Sequence, residues 1–159
     1  MKTLISLFVL SILWTVDADI KYHKEYFDNQ VLKAEGWMEN GEKVKYWKFY
    51  RPNGRIKSEG HFAADKKCKY WFFYQANGEK LKEGSFANDL MVDWWTHYDK
   101  DGKIIEKCQY DKGVKNGYRV LYVKEKPKMV EKFEDNVKTD EWTSFTGFII
   151  ENGDLLLDE

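Results

Sequence analysis

Residues 45–68, KYWKFYRPNGRIKSEGHFAADKKC, contain the pattern that decides the fold. The aromatic run YWKFY has high strand propensity. In the segment RPNG, the proline pre-sets φ and the glycine can adopt a positive φ, which suits a type I turn closed by a glycine bulge. The segment RIKSEGHF then alternates its side chains between two faces, as a returning strand does. This stretch is therefore predicted to form a β-hairpin.

The same pattern returns every 24 residues, which indicates a repeat architecture. The columns that keep this step are Tyr26, Tyr50, Tyr74, Tyr98 and Tyr122, then Trp47, Trp71 and Trp95, then Gly36, Gly60 and Gly84. The units are 22–44, 45–68, 69–92, 93–116 and 117–139, with a partial unit from 140 to 159. We expect an all-β fold in which tandem hairpins pair into an extended, twisted antiparallel meander sheet.

Several positions depart from the regular unit or strain it. Glycine is intrinsically poor in mid-strand, so we interpret Gly60 and its equivalents as room for an aromatic ring of the neighbouring strand to lie over the backbone. Cys108 replaces this glycine in the fourth unit, so we expect a looser contact between the neighbouring ring and the backbone there. The fifth unit is degenerate, because residues 124–128 lack a turn glycine. Residues 148–157 are predicted to form a last hairpin with an Asn-Gly turn that caps the array.

The first 18 residues differ from the rest of the chain. Lys2 supplies a positive charge, an apolar run follows from residue 4 to residue 14, and small or branched residues precede a cut after Ala18. This pattern predicts a secretory signal peptide over residues 1–18 and a repeat domain over residues 19–159. A single membrane anchor is the alternative, but the run is short for crossing a bilayer. The mature protein is expected to be periplasmic or secreted.

Composition limits the classes of partner. The 159 residues carry 26 basic and 27 acidic side chains, for a formal net charge of −1. This balance argues against a nucleic-acid binder, whose affinity comes largely from basic residues that neutralise phosphates. Lysines mixed evenly with acidic residues also argue against a membrane-surface contact, which needs a basic cluster. Aromatic residues make up 17% of the chain, enough apolar surface to order it.

The chain shows no recognisable catalytic set, and we expect neither enzymatic activity nor a cofactor. His23, His61 and His97 lie at three different repeat phases, so no metal site is predicted. The sequence lacks a GxSxG elbow, an HExxH helix and a glycine-rich phosphate loop. Cys68 and Cys108 should sit three strands apart, roughly 14 Å, which is too far for a disulfide.

Glutamates recur on one face of the predicted sheet, at Glu35, Glu59 and Glu83. Their spacing of about 9.6 Å lies near the upper end for the carboxylates of an inverting glycosidase. Lysines flank them and no cleft is implied. We therefore expect a solvated face stabilised by cross-strand charge pairs.

The aromatic columns are the candidate binding residues. Alternation along the strand puts aromatic rings on both faces of a single sheet that has no second layer. The rings could stack on each other in place of a globular core, or one row could form a binding strip for a protein partner or a glycan. The strip would break at Arg119. The candidate residues for this strip are Trp47, Trp71 and Trp95, with Tyr50, Tyr74 and Tyr98.

The unit YWKFYxxNGxxxxEGxF resembles the bacterial variant of the MORN repeat, found in proteins labelled YwqK-family antitoxin. The resemblance covers about residues 22–123. It implies an extended single-sheet meander with protein or membrane-surface contacts, and an antitoxin role by association. The predicted export signal speaks against a cytoplasmic toxin as the target.

The expected function is a non-enzymatic repeat scaffold that mediates protein–protein interaction in the cell envelope or outside the cell. A glycan-binding module that uses the tryptophan row, and an antitoxin-like protein that neutralises a toxin, are the alternatives. The oligomeric state is left open by the sequence, although an open sheet end offers a place for a second copy to pair.

Overall fold

The computed structural model describes residues 19–153, which form one open sheet of 11 antiparallel strands in sequence order. This arrangement confirms the predicted all-β meander. The strands are β1 (Ile20–Tyr26), β2 (Leu32–Glu39), β3 (Glu42–Tyr50), β4 (Ile56–Ala63), β5 (Lys66–Tyr74), β6 (Lys80–Ala87), β7 (Leu90–Tyr98), β8 (Ile104–Asp111), β9 (Val114–Val123), β10 (Lys126–Glu134) and β11 (Val137–Trp142), and one helix follows, α1 (Phe145–Asn152).

The 24-residue repeat appears as a repeated strand register. Trp47 of β3 lies opposite Gly36 of β2 on one side and Gly60 of β4 on the other. Trp71 of β5 lies in the same way between Gly60 and Gly84. Most strand pairings contain one place where the register of the backbone hydrogen bonds shifts by a residue. Such β-bulges bend a strand and increase its right-handed twist.

The connections between hairpins are two-residue turns in which both residues adopt positive φ. Ala64 and Asp65 form one, with φ of 47° and 60°. Lys124 and Glu125, with φ of 51° and 61°, form a turn of the same kind inside the fifth unit, where the second, third and fourth units have a glycine turn such as the one at residues 51–54. Positive φ at both positions is the type I′ geometry that matches strand twist. The fifth unit is therefore a hairpin despite its degenerate sequence.

One face of the sheet, which we call the tryptophan face, carries a continuous stack of rings. Trp47 stacks on Phe49 at 6.0 Å between centroids, Phe49 on Trp71 at 6.3 Å, and Trp71 on Phe73 at 5.9 Å. Phe73 reaches Trp95 at 6.1 Å. Because offset and edge-on aromatic pairs are favourable, this stack supplies the buried apolar core that a single sheet otherwise lacks.

The sequence-based prediction of a hairpin over residues 148–157 is wrong for the described part. Residues 145–152 form α1, with Ser144 as N-cap accepting a hydrogen bond from the backbone N–H of Gly147. A short apolar run fits a strand or a helix equally well by periodicity alone. Burial decides here, because Phe148 is fully buried against Val120 and Val130. The helix covers this cluster on one face of β9 and β10 but leaves the edge strand β11 open, with five of its six residues exposed.

Two predictions fall outside the described residues: the signal peptide of residues 1–18 and the last part of the predicted hairpin, residues 154–157. Across residues 19–153, the structure contains no helix long and apolar enough to cross a membrane.

Candidate functional site

The predicted binding row of tryptophans is buried. Trp47, Trp71 and Trp95 each have 0% of their surface exposed. The indole N–H of Trp71 donates to the backbone oxygens of His61, at 3.1 Å, and Cys68, at 3.2 Å, so its polar edge is satisfied internally. A ligand cannot lie flat on rings with no accessible surface, so the expectation that this row forms a binding strip does not hold. The rings stack on one another instead.

The mid-strand glycines explain how the tryptophans are buried. A Cβ atom added at Gly36, Gly60 or Gly84 would lie 2.3 to 2.4 Å from the ring of the tryptophan on the following strand. Real Cβ atoms essentially never come this close, so each ring lies directly over a glycine backbone. The prediction that these glycines make room for a neighbouring ring is confirmed.

The opposite face, which we call the tyrosine face, carries the other three candidate residues in a ladder with glutamates. The Tyr50 hydroxyl donates to Glu35 Oε1 at 2.7 Å. One repeat further on, the Tyr74 hydroxyl donates to Glu59 Oε1 at 2.6 Å. The ladder continues with Tyr98, which donates to Glu83.

The glutamates of this ladder are less solvated than the sequence indicated. The side chains of Glu35, Glu59 and Glu83 are 17%, 14% and 12% exposed. Lysines approach each of them, as predicted, and the shortest such distance is 2.7 Å, from Lys80 Nζ to Glu83 Oε2. The tyrosine hydroxyls are the partners that the sequence analysis missed, although the Tyr and Glu columns keep the same 24-residue step.

The ladder shifts the pKa values of its members in opposite directions. Burial raises the pKa of Tyr50, and its hydrogen bond to the Glu35 carboxylate raises it further. The same hydrogen bond lowers the pKa of Glu35. Burial and the nearby Glu59 carboxylate raise the pKa of Tyr46 to about 12. At neutral pH Tyr50 is therefore a neutral donor that is held in place by the charged Glu35 carboxylate.

The tyrosine face also presents rings to solvent. Tyr22 is 49% exposed and Tyr70 is 43% exposed, while Trp37, edge-on to Tyr22 at 5.2 Å, is 38% exposed. The candidate residues named from the sequence include both the tryptophan row and the tyrosines of the opposite face, and the structure shows that the tryptophan row is buried. The glycine columns held the missing signal, because a glycine beside a tryptophan on the same face indicates a covered ring.

The aromatic stack ends in a polar cluster between β7 and β10. Arg119 occupies the tryptophan position, as the sequence predicted, and donates through Nε to Glu106 Oε2 at 2.8 Å and through Nη1 to Glu131 Oε2 at 2.9 Å. His97 Nδ1 lies 3.2 Å from Glu106 Oε1 without an aligned hydrogen bond. Cys108 has a Cβ where a tryptophan needs a glycine, so a flexible arginine replaces the flat ring here.

This cluster has no reactive nucleophile at neutral pH. Cys108 is buried, and burial raises its pKa to about 11, so the thiol stays protonated. Burial lowers the pKa of His97. Cys68 on β5 and Cys108 on β8 are both free thiols, three strands apart as predicted.

The three histidines do not converge on a common point. His23 packs near the ring of Trp47 on the tryptophan face, whereas His61 lies edge-on to Tyr46 on the tyrosine face. Within residues 19–153, no group of three or more His, Cys, Asp or Glu side chains could hold a metal ion. A shallow cavity of about 300 Å³ lies along β7, β8 and β9, lined by Asp93, Trp94, Gln109, Tyr110 and Asn116.

Comparison with known proteins adds little to this geometry. No protein-family model matches the chain, and no curated protein matches it. Solved structures do match, among them the crystal structure of the GtfA/B complex bound to UDP and GlcNAc, at 16% identity and a TM-score of 0.28. The match covers 96% of this chain and 30% of that one, so this chain spans less than a third of that structure's length. A TM-score this low carries no argument about function.

Proposed function

We propose that this chain is a non-enzymatic, MORN-like repeat scaffold that binds a protein partner through its tyrosine face, in the cell envelope or outside the cell. One observation carries the proposal: the tryptophan row is fully buried, while Tyr22 and Tyr70 on the opposite face are 49% and 43% exposed. Half-exposed aromatic rings on a regular surface are typical of protein interaction sites.

The tyrosine–glutamate ladder supports the proposal because it fixes the surface before a partner arrives. Tyr50 and Tyr74 are each held by a hydrogen bond to a carboxylate on the preceding hairpin. Side chains already held in one rotamer lose little entropy on binding, which leaves more of the interaction energy for affinity. The repeat places equivalent groups two strands apart, roughly 9.6 Å, so a partner meets a regular surface.

Export is supported by the sequence of residues 1–18, with its apolar run and small residues before Ala18. The antitoxin alternative is supported by the resemblance of the repeat unit alone. The glycan alternative depended on flat tryptophan rings, and the burial of Trp47, Trp71 and Trp95 removes that motive.

Site-specific photo-crosslinking in the native host tests the proposal. A photoreactive amino acid at Tyr70 is expected to crosslink one defined protein, and the same protein should be lost when Tyr22 is changed to Ser in that background. The matched control places the probe at Ile150, which is 79% exposed on α1 and lies at least four strands from Tyr70, because α1 packs on β9 and β10.

A second control separates binding from folding. Circular dichroism of each variant must show an intact sheet, which is expected because both tyrosines are half-exposed. Equal crosslinking from Tyr70 and Ile150, or crosslinking unaffected by Tyr22→Ser, would argue against the tyrosine face as the binding surface.

A further inference from the structure

Each edge strand of the sheet pairs on one side alone among the described residues, and α1 packs Phe148 on one face of β9 and β10 without covering β11. Six of the seven residues of β1 and five of the six residues of β11 are exposed, so β1 is the longer of the two open edges. An edge strand of this length carries a row of backbone N–H and C=O groups that another strand can pair with.

The backbone of β1 shows which groups are available. The carbonyl of Asp19 accepts a hydrogen bond from the N–H of Asn40, so the backbone N–H and C=O groups of residue 19 are directed toward β2. Hydrogen bonding alternates along an antiparallel strand, so the even-numbered residues Ile20, Tyr22 and Lys24 direct their N–H and C=O groups outward. A pairing strand must meet β1 at these positions.

We propose that β1 pairs antiparallel with β1 of a second copy of this chain, about a two-fold axis at His23, so that two sheets join into one. In this register Tyr22 lies opposite the partner's Lys24, and the two exchange backbone hydrogen bonds. Lys21 lies opposite the partner's Glu25, and by symmetry Glu25 lies opposite the partner's Lys21. The pairing is isologous, as a two-fold dimer requires.

Charge complementarity selects this register over its neighbours. Each face of the joined sheet stays continuous only when the two-fold axis passes through a residue of β1. Neighbouring registers of this kind move the axis by one residue along the strand. An axis at Lys24 places two lysines directly opposite each other, although it also places His23 opposite the partner's Glu25, and an axis at Tyr22 places Lys21 opposite the partner's His23. The axis at His23 instead forms two opposite-charge pairs, which favour cross-strand pairing.

The side chains concerned are exposed but already have charged neighbours in the same chain, which the dimer contacts must replace or share. Lys21 is 74% exposed and its nearest acidic group, Asp19, is itself 63% exposed. Glu25 is 39% exposed and lies 3.8 Å from His23 and 3.5 Å from Lys33. Opposite-charge pairs at this exposure contribute modestly, so the dimer depends on the backbone ladder for affinity and on charge for register.

The dimer also continues both faces of the sheet. The ring of His23 lies 6.3 Å from that of Trp47, so the axis falls at the N-terminal end of the aromatic stack. The tyrosine faces of the two copies become one longer surface. The inference does not depend on the proposed function, because its test is the oligomeric state of the isolated protein.

Sedimentation equilibrium of the full chain, from micromolar to millimolar concentration, tests the inference through charge reversal. The unsubstituted chain is expected to form a dimer. Lys21→Glu and Glu25→Lys should each weaken the dimer at least about tenfold, because each turns two attractive pairs into two repulsive ones. The double variant Lys21→Glu/Glu25→Lys restores opposite charges and should recover the dimer.

The control Asp140→Lys makes the same charge change as Glu25→Lys on β11, the other edge strand, and should leave the dimer unchanged. Circular dichroism verifies that each variant is folded. A chain that stays monomeric throughout, or a double variant no better than the singles, would overturn the proposal. Loss of the dimer in Asp140→Lys alone would move the interface to β11 and equally overturn it.

A cysteine at the axis provides an independent readout. Directly opposed residues in a non-hydrogen-bonded antiparallel pair have Cα atoms about 4.5 Å apart, within the range of a disulfide. His23→Cys is therefore expected to form an inter-chain disulfide on mild oxidation, mapped by mass spectrometry to distinguish it from Cys68 and Cys108. Ile20→Cys, which the register separates by roughly 20 Å from its symmetry mate, should not. Equal crosslinking of both would contradict the register.

Discussion

Replacing Gly60 with alanine tests the origin of the buried stack most sharply. The added Cβ would lie 2.3 Å from Cδ2 of Trp71, whereas carbon atoms in contact are normally about 3.5 to 4.0 Å apart. The indole must therefore move by more than about 1 Å. Both neighbouring rings, Phe49 and Phe73, stack against it, so the displacement cannot be absorbed locally.

The expected loss of unfolding free energy follows from two effects. Overpacking of a filled site costs about 1 to 3 kcal/mol. Moving the indole also breaks the hydrogen bonds from Trp71 Nε1 to His61 and Cys68, and an unsatisfied buried donor costs about 1 to 3 kcal/mol. We expect Gly60→Ala to destabilise the protein by about 2 to 6 kcal/mol, a large part of a typical domain's stability.

Urea unfolding followed by far-ultraviolet circular dichroism measures this loss. The control is Gly147→Ala in α1, where the nearest atom would lie at an ordinary 3.7 Å and the helix should gain about 0.5 to 1 kcal/mol. In a Trp71→Leu background, Gly60→Ala should cost much less, because the clashing ring is gone. A cost below about 0.5 kcal/mol, or an equal cost in both backgrounds, would refute the reasoning.

Three further predictions concern the ladder, the thiols and the helix α1. Tyr50→Phe should cost about 1 to 2 kcal/mol at pH 7, measured by urea unfolding. The hydrogen bond lowers the folded-state pKa of Glu35, so its stabilisation is present above the unfolded pKa and is lost as pH falls through the folded pKa. The cost of Tyr50→Phe should therefore shrink in acid, and a pH-independent cost would contradict this. At pH 8, a thiol reagent should modify Cys68 well before Cys108, which is 1% exposed with its pKa raised to about 11. Phe148→Ala should cost about 3 to 4 kcal/mol by the same unfolding assay, because Phe148 is fully buried, and an effect below about 1 kcal/mol would mean that the packing of α1 on β9 and β10 does not stabilise the sheet.

The repeat made most of the fold predictable from the sequence. A constant 24-residue step fixes the register of each strand, and the mid-strand glycines indicate where a ring must lie. The C-terminal helix was not predictable in the same way, since Phe148 and its neighbours are apolar in a pattern that fits a strand or a helix. Packing on Val120 and Val130 decides it, and that contact crosses units.

The candidate site was predicted less well, for a physical reason. Alternation assigns residues to faces, but it does not show which face of a single sheet is covered. Trp47 is the larger ring and suggested a ligand platform, yet the flanking Gly36 lets it sink against the backbone. Tyr70 lies opposite Ser85 on the other face of the sheet and keeps 43% of its surface exposed.

The sheet buries its row of tryptophans on one face and exposes Tyr22 and Tyr70 on the other. Hydroxyl-radical footprinting with mass spectrometry, at residue resolution, measures both in one experiment on the folded chain. We expect rapid oxidation of Tyr22 and Tyr70 and protection of Trp47 and Trp71 until the protein is unfolded. Oxidation of the tryptophans as fast as, or faster than, the tyrosines in the folded protein would contradict this arrangement of the two faces.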